Sequence, residues 1–229
     1  MKKDLVVKNF ECGNEVKDIT LSISPITFLV GPDERKKDAI LNVVEEELNY
    51  RNTYLFSNAY YDNDYDSTSY NHLKETKFAK KWISKLGIVN DGTDRNHQLL
   101  MILSVIDSAI EEKSVGLAIK NPECYLYPAT QSLLADMFYE AYNDYGIHFI
   151  VETHSEYLIR ESQVLVATEV YDQPSEEEVG DDCPFATYYV PDKADGKAPY
   201  SLRYRKDGIF INAFGKGFYD VAAKLALKI

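Results

Sequence analysis

With 229 residues, 45% of them hydrophobic and 27% charged, the chain can bury one ample core and reads as ordinary globular protein, neither disordered nor fibrous. Its 37 acidic side chains outnumber 25 basic ones, giving a net charge of -12, and its longest basic run is only Arg35-Lys36-Lys37; direct nucleic-acid binding is therefore disfavoured. No apolar stretch nears the roughly 20 residues of a membrane span, Met1-Lys2-Lys3-Asp4 does not lead into a signal peptide, and Cys12, Cys124 and Cys183 form neither a metal-ligand pair nor a disulfide framework, so a cytoplasmic protein is expected.

Short apolar runs at Leu5-Val6-Val7, Ile19-Leu21-Ile23 and Ile26-Thr27-Phe28-Leu29-Val30 predict three strands. Gly31-Pro32-Asp33 ends the third, and Ile40, Val43, Val44 and Leu48 then share one face of a helix. Residues 50–72 read as an irregular insert, acidic and aromatic from Tyr60 to Asp66, without the central glycine and closing glutamate of a calcium loop. Helical spacing returns at 73–86 and 96–112. Val115-Gly116-Leu117-Ala118-Ile119 predicts a buried strand, 129–145 a long helix, and 147–151 a second buried strand. A helix over 155–162 is expected to lead into a strand at Val164-Leu165-Val166. Residues 171–184 read as a surface loop, 186–191 and 200–205 as a hairpin, and Gly215 and Gly217 open a final helix at 218–228. Alternating strands and helices with continuous apolar strands predict a largely parallel sheet covered on both faces. Without repeats or a Ser/Gly linker, residues 1–229 are expected to form a single domain. The 18 tyrosines fit amphipathic packing, with partner contacts as the alternative.

Strand, glycine turn and helix in that order are the frame on which phosphate loops are built. A second motif runs from Asn121-Pro122-Glu123-Cys124-Tyr125-Leu126-Tyr127-Pro128 through Gln131 to Glu152-Thr153-His154-Ser155. In these residues the chain resembles ABC-type ATPase heads of the bacterial "AAA family ATPase" group, related to overcoming-lysogenisation-defect and RecN/SMC-type ATPases. In that group a strand ends in Glu-Glu-Pro-Glu, and x-His-Leu-His-Pro, a helix, a strand and Thr-His-Ser follow. The tail from Asp207-Gly208-Ile209 to Asp220 is also similar. The resemblance implies an α/β, P-loop NTPase-like fold with a mostly parallel central sheet flanked by helices and an antiparallel N-terminal β portion.

Residue by residue, the motifs depart from a working site. A phosphate loop reads Gly-x-x-x-x-Gly-Lys-Ser/Thr: glycines admit the phosphates, the lysine reaches their oxygens, and the hydroxyl holds Mg²⁺. Here Gly31 and Lys37 remain, Lys36 stands at the second glycine, Asp38 replaces the hydroxyl, and Asp33 and Glu34 add negative charge. At the end of the strand before the second motif, Lys120 occupies the position of the metal-binding acid and Asn121 that of the general base. An amide is a poor proton acceptor near neutral pH. The signature that meets γ-phosphate across a dimer in the resembled family survives only as Gln98, in Thr93-Asp94-Arg95-Asn96-His97-Gln98. His154 matches the γ-phosphate sensor, and a structural role, closing its strand and starting the next helix beside the N-cap Ser155, is expected for it here.

In the resembled fold the loop hydroxyl and the strand-end acid meet at one Mg²⁺. Asp38 and Lys120 are therefore expected to pair, joined by Lys37 and Asn121, in place of metal and phosphate. The resulting expectation is a non-hydrolysing, pseudo-ATPase head that binds a protein partner: itself, another ATPase head or an effector. No cofactor is expected. The alternative is a nucleotide-binding switch or weak ATPase using Lys37 with ATP and Mg²⁺, in the DNA-repair or anti-phage setting of intact relatives. A nuclease is disfavoured, because Asp181-Asp182 reads as solvated loop.

Overall fold

A computed structural model describes residues 2–48, 50–54, 73, 75–215 and 218. Strands β1 (Lys3–Cys12) and β2 (Glu15–Ile23) form an antiparallel hairpin. Its register slips between Val7 and Phe10, where Asn9 takes a left-handed φ of 54° and breaks the ladder as a bulge. The main sheet has strands β3 (Ile26–Val30), β4 (Arg51–Tyr54), β5 (Gly116–Lys120), β6 (His148–Glu152), β7 (Phe185–Tyr189) and β8 (Tyr200–Leu202), in the order β4-β5-β6-β3-β7-β8. All neighbours are parallel except β7 and β8, which pair antiparallel as the expected hairpin.

Central strands are apolar on both sides because both sides are covered. Phe28 and Val30 of β3, Leu117 and Ile119 of β5, and Phe149 and Val151 of β6 meet helices α2 (Lys77–Leu86), α3 (Asp94–Glu112), α4 (Pro128–Tyr145) and α5 (Glu156–Leu165). On the other face, Leu29, Ala118 and Ile150 meet α1 (Glu34–Leu48) and the buried residues of the hairpin. Helix α1 seals this layer with Ile40, Leu41, Val44 and Leu48, whose i, i+4 spacing forms one apolar stripe. The α/β architecture expected from the sequence is therefore present, with its antiparallel N-terminal portion forming a third layer.

Local chemistry sets the helix ends. Thr76 caps α2 by accepting from the Ala79 amide, and Pro128 opens α4 at a position that lacks no useful donor. Gly146 ends α4 at φ 73°, in the left-handed region that other residues rarely enter.

Three expectations change. The strand at Val164-Leu165-Val166 is instead the end of α5 and the start of a π-type turn over Val166–Val170, with Leu165 and Val166 buried by the helical face. Within the 50–72 insert, Arg51–Tyr54 is the edge strand β4, held by parallel pairing to β5. Helix α2 begins at Lys77 rather than 73. The acidic stretch Tyr60–Asp66 and the final helix at 218–228 fall outside the described residues, save Phe218. No helix among the described residues is long and apolar enough to cross a membrane.

Candidate functional site

Parallel pairing of β3 with β6 and of β6 with β5 brings three strand ends to one edge of the sheet. Leu29 registers with Glu152, and Glu152 with Lys120. The chain leaving β3 turns at Gly31 and enters α1, whose first turns lie above those ends. Gly31 has φ 119°, and a Cβ there would lie 2.3 Å from the Val190 carbonyl oxygen, so only glycine fits the turn.

Lys37 stands at the centre. Its side chain is 0% exposed, and its Nζ donates to Glu152 Oε1 at 2.5 Å and to Glu34 Oε1 at 3.1 Å. Glu152 is equally buried, with its second oxygen unpartnered. Burial pushes its pKa up, and the opposing pull of Lys37 does not overcome that. Burial also acts to raise Glu34, but Lys37, His154 and Lys120 outweigh it and hold this carboxyl below its usual value.

The pair expected from the two altered motifs is formed: Lys120 Nζ lies 2.7 Å from Asp38 Oδ1. It also lies 3.7 Å from Glu34 Oε2, which links this pair to Lys37. Desolvation works to lower the Lys120 pKa, yet Asp38, Glu152 and Glu34 together raise it. The His154 ring, half exposed, reaches the same group, with Nε2 2.7 Å from Glu34 Oε1 and 3.4 Å from both Glu152 Oε1 and Lys37 Nζ.

The remaining sequence candidates lie elsewhere. Lys36 is buried, but turns the other way to donate to the Pro191 carbonyl at 3.2 Å and pair with Asp33 at 3.4 Å. Asn121 does not join the network: it takes φ 49°, its amide donates to the Glu152 carbonyl, and its side-chain oxygen is buried without a partner. Gln98 is 1% exposed and donates to the Pro122 carbonyl at 2.9 Å. That bond makes Gln98 a brace for the loop after β5.

Glu34, Glu152 and His154 bring three ligand-type atoms within 4.8 Å of one another, a grouping the sequence reading did not single out. The Lys37 ammonium stands among them, where a metal ion would have to sit. In this arrangement the lysine's charge does the work of a cation, and a metal would meet it head on. In sequence Glu34 reads only as negative charge beside the loop, and Glu152 only as the start of the Glu152-Thr153-His154-Ser155 motif. Their convergence depends on β3 and β6 being neighbours, which periodicity does not reveal.

The β6–α5 junction is built from neutral bonds around one buried acid. Glu123 accepts from Thr153 Oγ1 at 2.8 Å and from the His154 amide at 2.6 Å. Ser155 caps α5 by accepting from the Leu158 amide, and its hydroxyl donates to Gln131. The structural role expected of His154 thus falls to its backbone, while its ring belongs to the charged cluster.

A family model described as AAA ATPase domain matches residues 95–159, from α3 to the first turn of α5. No curated protein matches the chain in sequence. Among solved structures, the chain is similar to a dimeric ATP-binding cassette in a post-hydrolysis state bound to ADP and Pi, at 13% identity over 88% of this chain and 98% of that one, with a TM-score of 0.47. It is also similar to an ATP-binding cassette of an ABC transporter in its ADP conformation, at 9% identity over 90% and 92%, with a TM-score of 0.49. A putative metal-chelate type ABC transporter in an inward-facing conformation gives 12% identity over 91% and 85%, with a TM-score of 0.45. The matched segment supports an ATPase-type nucleotide-binding fold, and its limits leave the loop at 31–38 to be read from its own chemistry.

Proposed function

We propose that this chain is a non-hydrolysing, ATPase-like subunit whose nucleotide site is filled by its own side chains and which acts by binding a protein partner. The supporting observation is the state of Lys37: it has no exposed surface and two carboxylates hold its ammonium. A lysine free to receive phosphate offers its charge to the solvent side of the loop, and this one offers none. Asp38 and Lys120 satisfy each other where the resembled heads place a metal between hydroxyl and acid.

Chemistry is further reduced by Asn121 at the position of the general base, since an amide accepts no proton near neutral pH. On this reading the fold is kept for its surface. The partner is a second copy, an intact ATPase head or an effector protein, and no cofactor is needed. The test is isothermal titration of the protein with ATP and Mg²⁺, with Lys37→Ala alongside. Absence of heat into the high-micromolar range supports a filled site. Binding that vanishes in Lys37→Ala restores the nucleotide-switch reading and makes turnover the next assay.

A further inference from the structure

A groove of about 560 Å³ lies between the outer side of α5 and the chain from Ile209 to Gly215. That volume falls within the roughly 300–1,000 Å³ of small-molecule pockets, which are mostly apolar, preformed and marked by a few polar groups. Ile209, Phe210, Ala213 and Phe214 line the groove with carbon, and Arg160 and Gln163 stand on its α5 side. Arg160 is the one charged residue among its described walls.

Hydrogen bonds and ring contacts fix these walls. The Gln163 side-chain amide donates to the Gly208 carbonyl at 2.8 Å, and Gly208 packs so closely on the Gln163 backbone that a Cβ would not fit. The Ile209 carbonyl accepts from the Arg205 amide, the Ile211 amide donates to the Arg203 carbonyl, and the Ala213 carbonyl accepts from the Tyr200 hydroxyl. Phe210 rests on the buried Tyr204 ring with centroids 4.4 Å apart, and Phe214 meets Phe210 edge-on at 5.3 Å. Ile209 nonetheless keeps 53% of its surface exposed. Walls already held in place can receive an apolar ligand with little further ordering cost.

Arg160 supplies the charge. Three residues apart, Arg160 and Gln163 share one face of α5, and Arg160 Nη1 donates to Gln163 Oε1 at 3.1 Å, which holds the guanidinium beside the groove. A guanidinium carries five N–H donors in a planar fork that matches a carboxylate. The groove also lies apart from the 31–38 loop. Phe210 and Phe214 pack on the core layer of α2 to α5, whereas α1, which that loop opens, covers the opposite face of the sheet. None of the described walls belongs to the loop, to the Lys37 cluster or to the ends of β5 and β6.

We propose that this groove binds a small aromatic monocarboxylate, its rings against Phe210, Phe214 and Ile209 and its carboxylate on the Arg160 fork. Offset or edge-on ring contacts favour an aromatic body. A single cation matches a single negative charge, and a polyphosphate would bring charge that one guanidinium does not balance.

The probe is 2-naphthoate, titrated into the full chain and followed by saturation-transfer NMR. Saturable one-site binding is expected, about tenfold weaker in Arg160→Gln. In Ile209→Glu, which sets a carboxylate of the chain's own in the groove, it should fall below detection. Both side chains are exposed, so both variants should fold, and circular dichroism checks this. The neutral analogue 2-naphthalenemethanol should bind the parent more weakly than the acid and should not distinguish parent from Arg160→Gln. Asp38→Ala, in the charged cluster, should bind the probe as the parent does, and ATP with Mg²⁺ should not displace it. Unchanged affinity in Arg160→Gln, equal affinity for the alcohol, displacement by ATP, or no saturable binding overturns the proposal.

Discussion

The two strand-to-helix junctions at the sheet edge solve one problem in opposite ways. After β6, Thr153, Ser155 and the His154 amide are tied by hydrogen bonds to Glu123, Gln131 and the helix start, a closed neutral scaffold around one acid. After β3, Glu34, Lys37 and Asp38 meet Glu152, Lys120 and His154, and charge is balanced by charge. The first arrangement keeps the pattern of the resembled ATPase heads and needs no ligand to be satisfied. In the second, the acids Glu34 and Asp38 are matched by Lys37 and Lys120.

Breaking the charged junction at its centre should cost most. Lys37→Met leaves buried Glu152 without its cation, and a loss of about 3–5 kcal/mol in urea unfolding is expected. Lys37→Met combined with Glu152→Leu should recover much of that loss, because replacing both members of a buried pair removes the uncompensated charge. Equal losses in the single and double variants would show that the pairing is not what holds Lys37.

At the neutral junction, Glu123→Ala strips the Thr153 hydroxyl and the His154 amide of their acceptor, at about 2–3 kcal/mol by the same measurement. Ser155→Ala removes a single cap bond and should cost about 1 kcal/mol. Asp38→Ala breaks a more exposed pair and should cost only about 0.5 kcal/mol. A larger loss from Asp38 than from Ser155 would reverse the ranking of the two junctions.

Titration sharpens the same contrast. Glu34 is held below the usual 4.5, so its contribution is present above that value and is lost as pH falls through its lower folded pKa. Lys120 is raised above 10.5, so its contribution is full below that value and disappears as pH climbs through its higher folded pKa. Lys120→Met should therefore flatten the alkaline limb of the stability curve, and Glu34→Gln the acid limb. Glu123→Ala has no reason to alter the alkaline limb.

Much of this was legible in residue order. The continuous apolar strands and the amphipathic α1 pointed to the layered α/β fold, and the resemblance, by setting Asp38 and Lys120 at positions that meet in the resembled heads, pointed to their contact. What stayed hidden has physical reasons. Val164-Leu165-Val166 is a short apolar run that suits a strand or a buried helix face, and the helix above the core claimed it. Arg51-Asn52-Thr53-Tyr54 has no alternation to betray a strand, since an edge strand can be held by backbone pairing to one neighbour alone. Gln98 kept the right amino acid for a signature while its helix turned it inward. Glu152 ends an apolar strand like many others, and only the adjacency of β3 and β6 aims it at Lys37.

If Glu34 and Glu152 are what keep Lys37 from a nucleotide, removing their charge should create a binding site. The parent chain and the Glu34→Gln/Glu152→Gln variant should be titrated with ATP and Mg²⁺ by calorimetry under identical conditions. No measurable binding by the parent is expected, and measurable binding once both carboxylates lose their charge. Binding by the parent that is unchanged or weakened in the variant would contradict it.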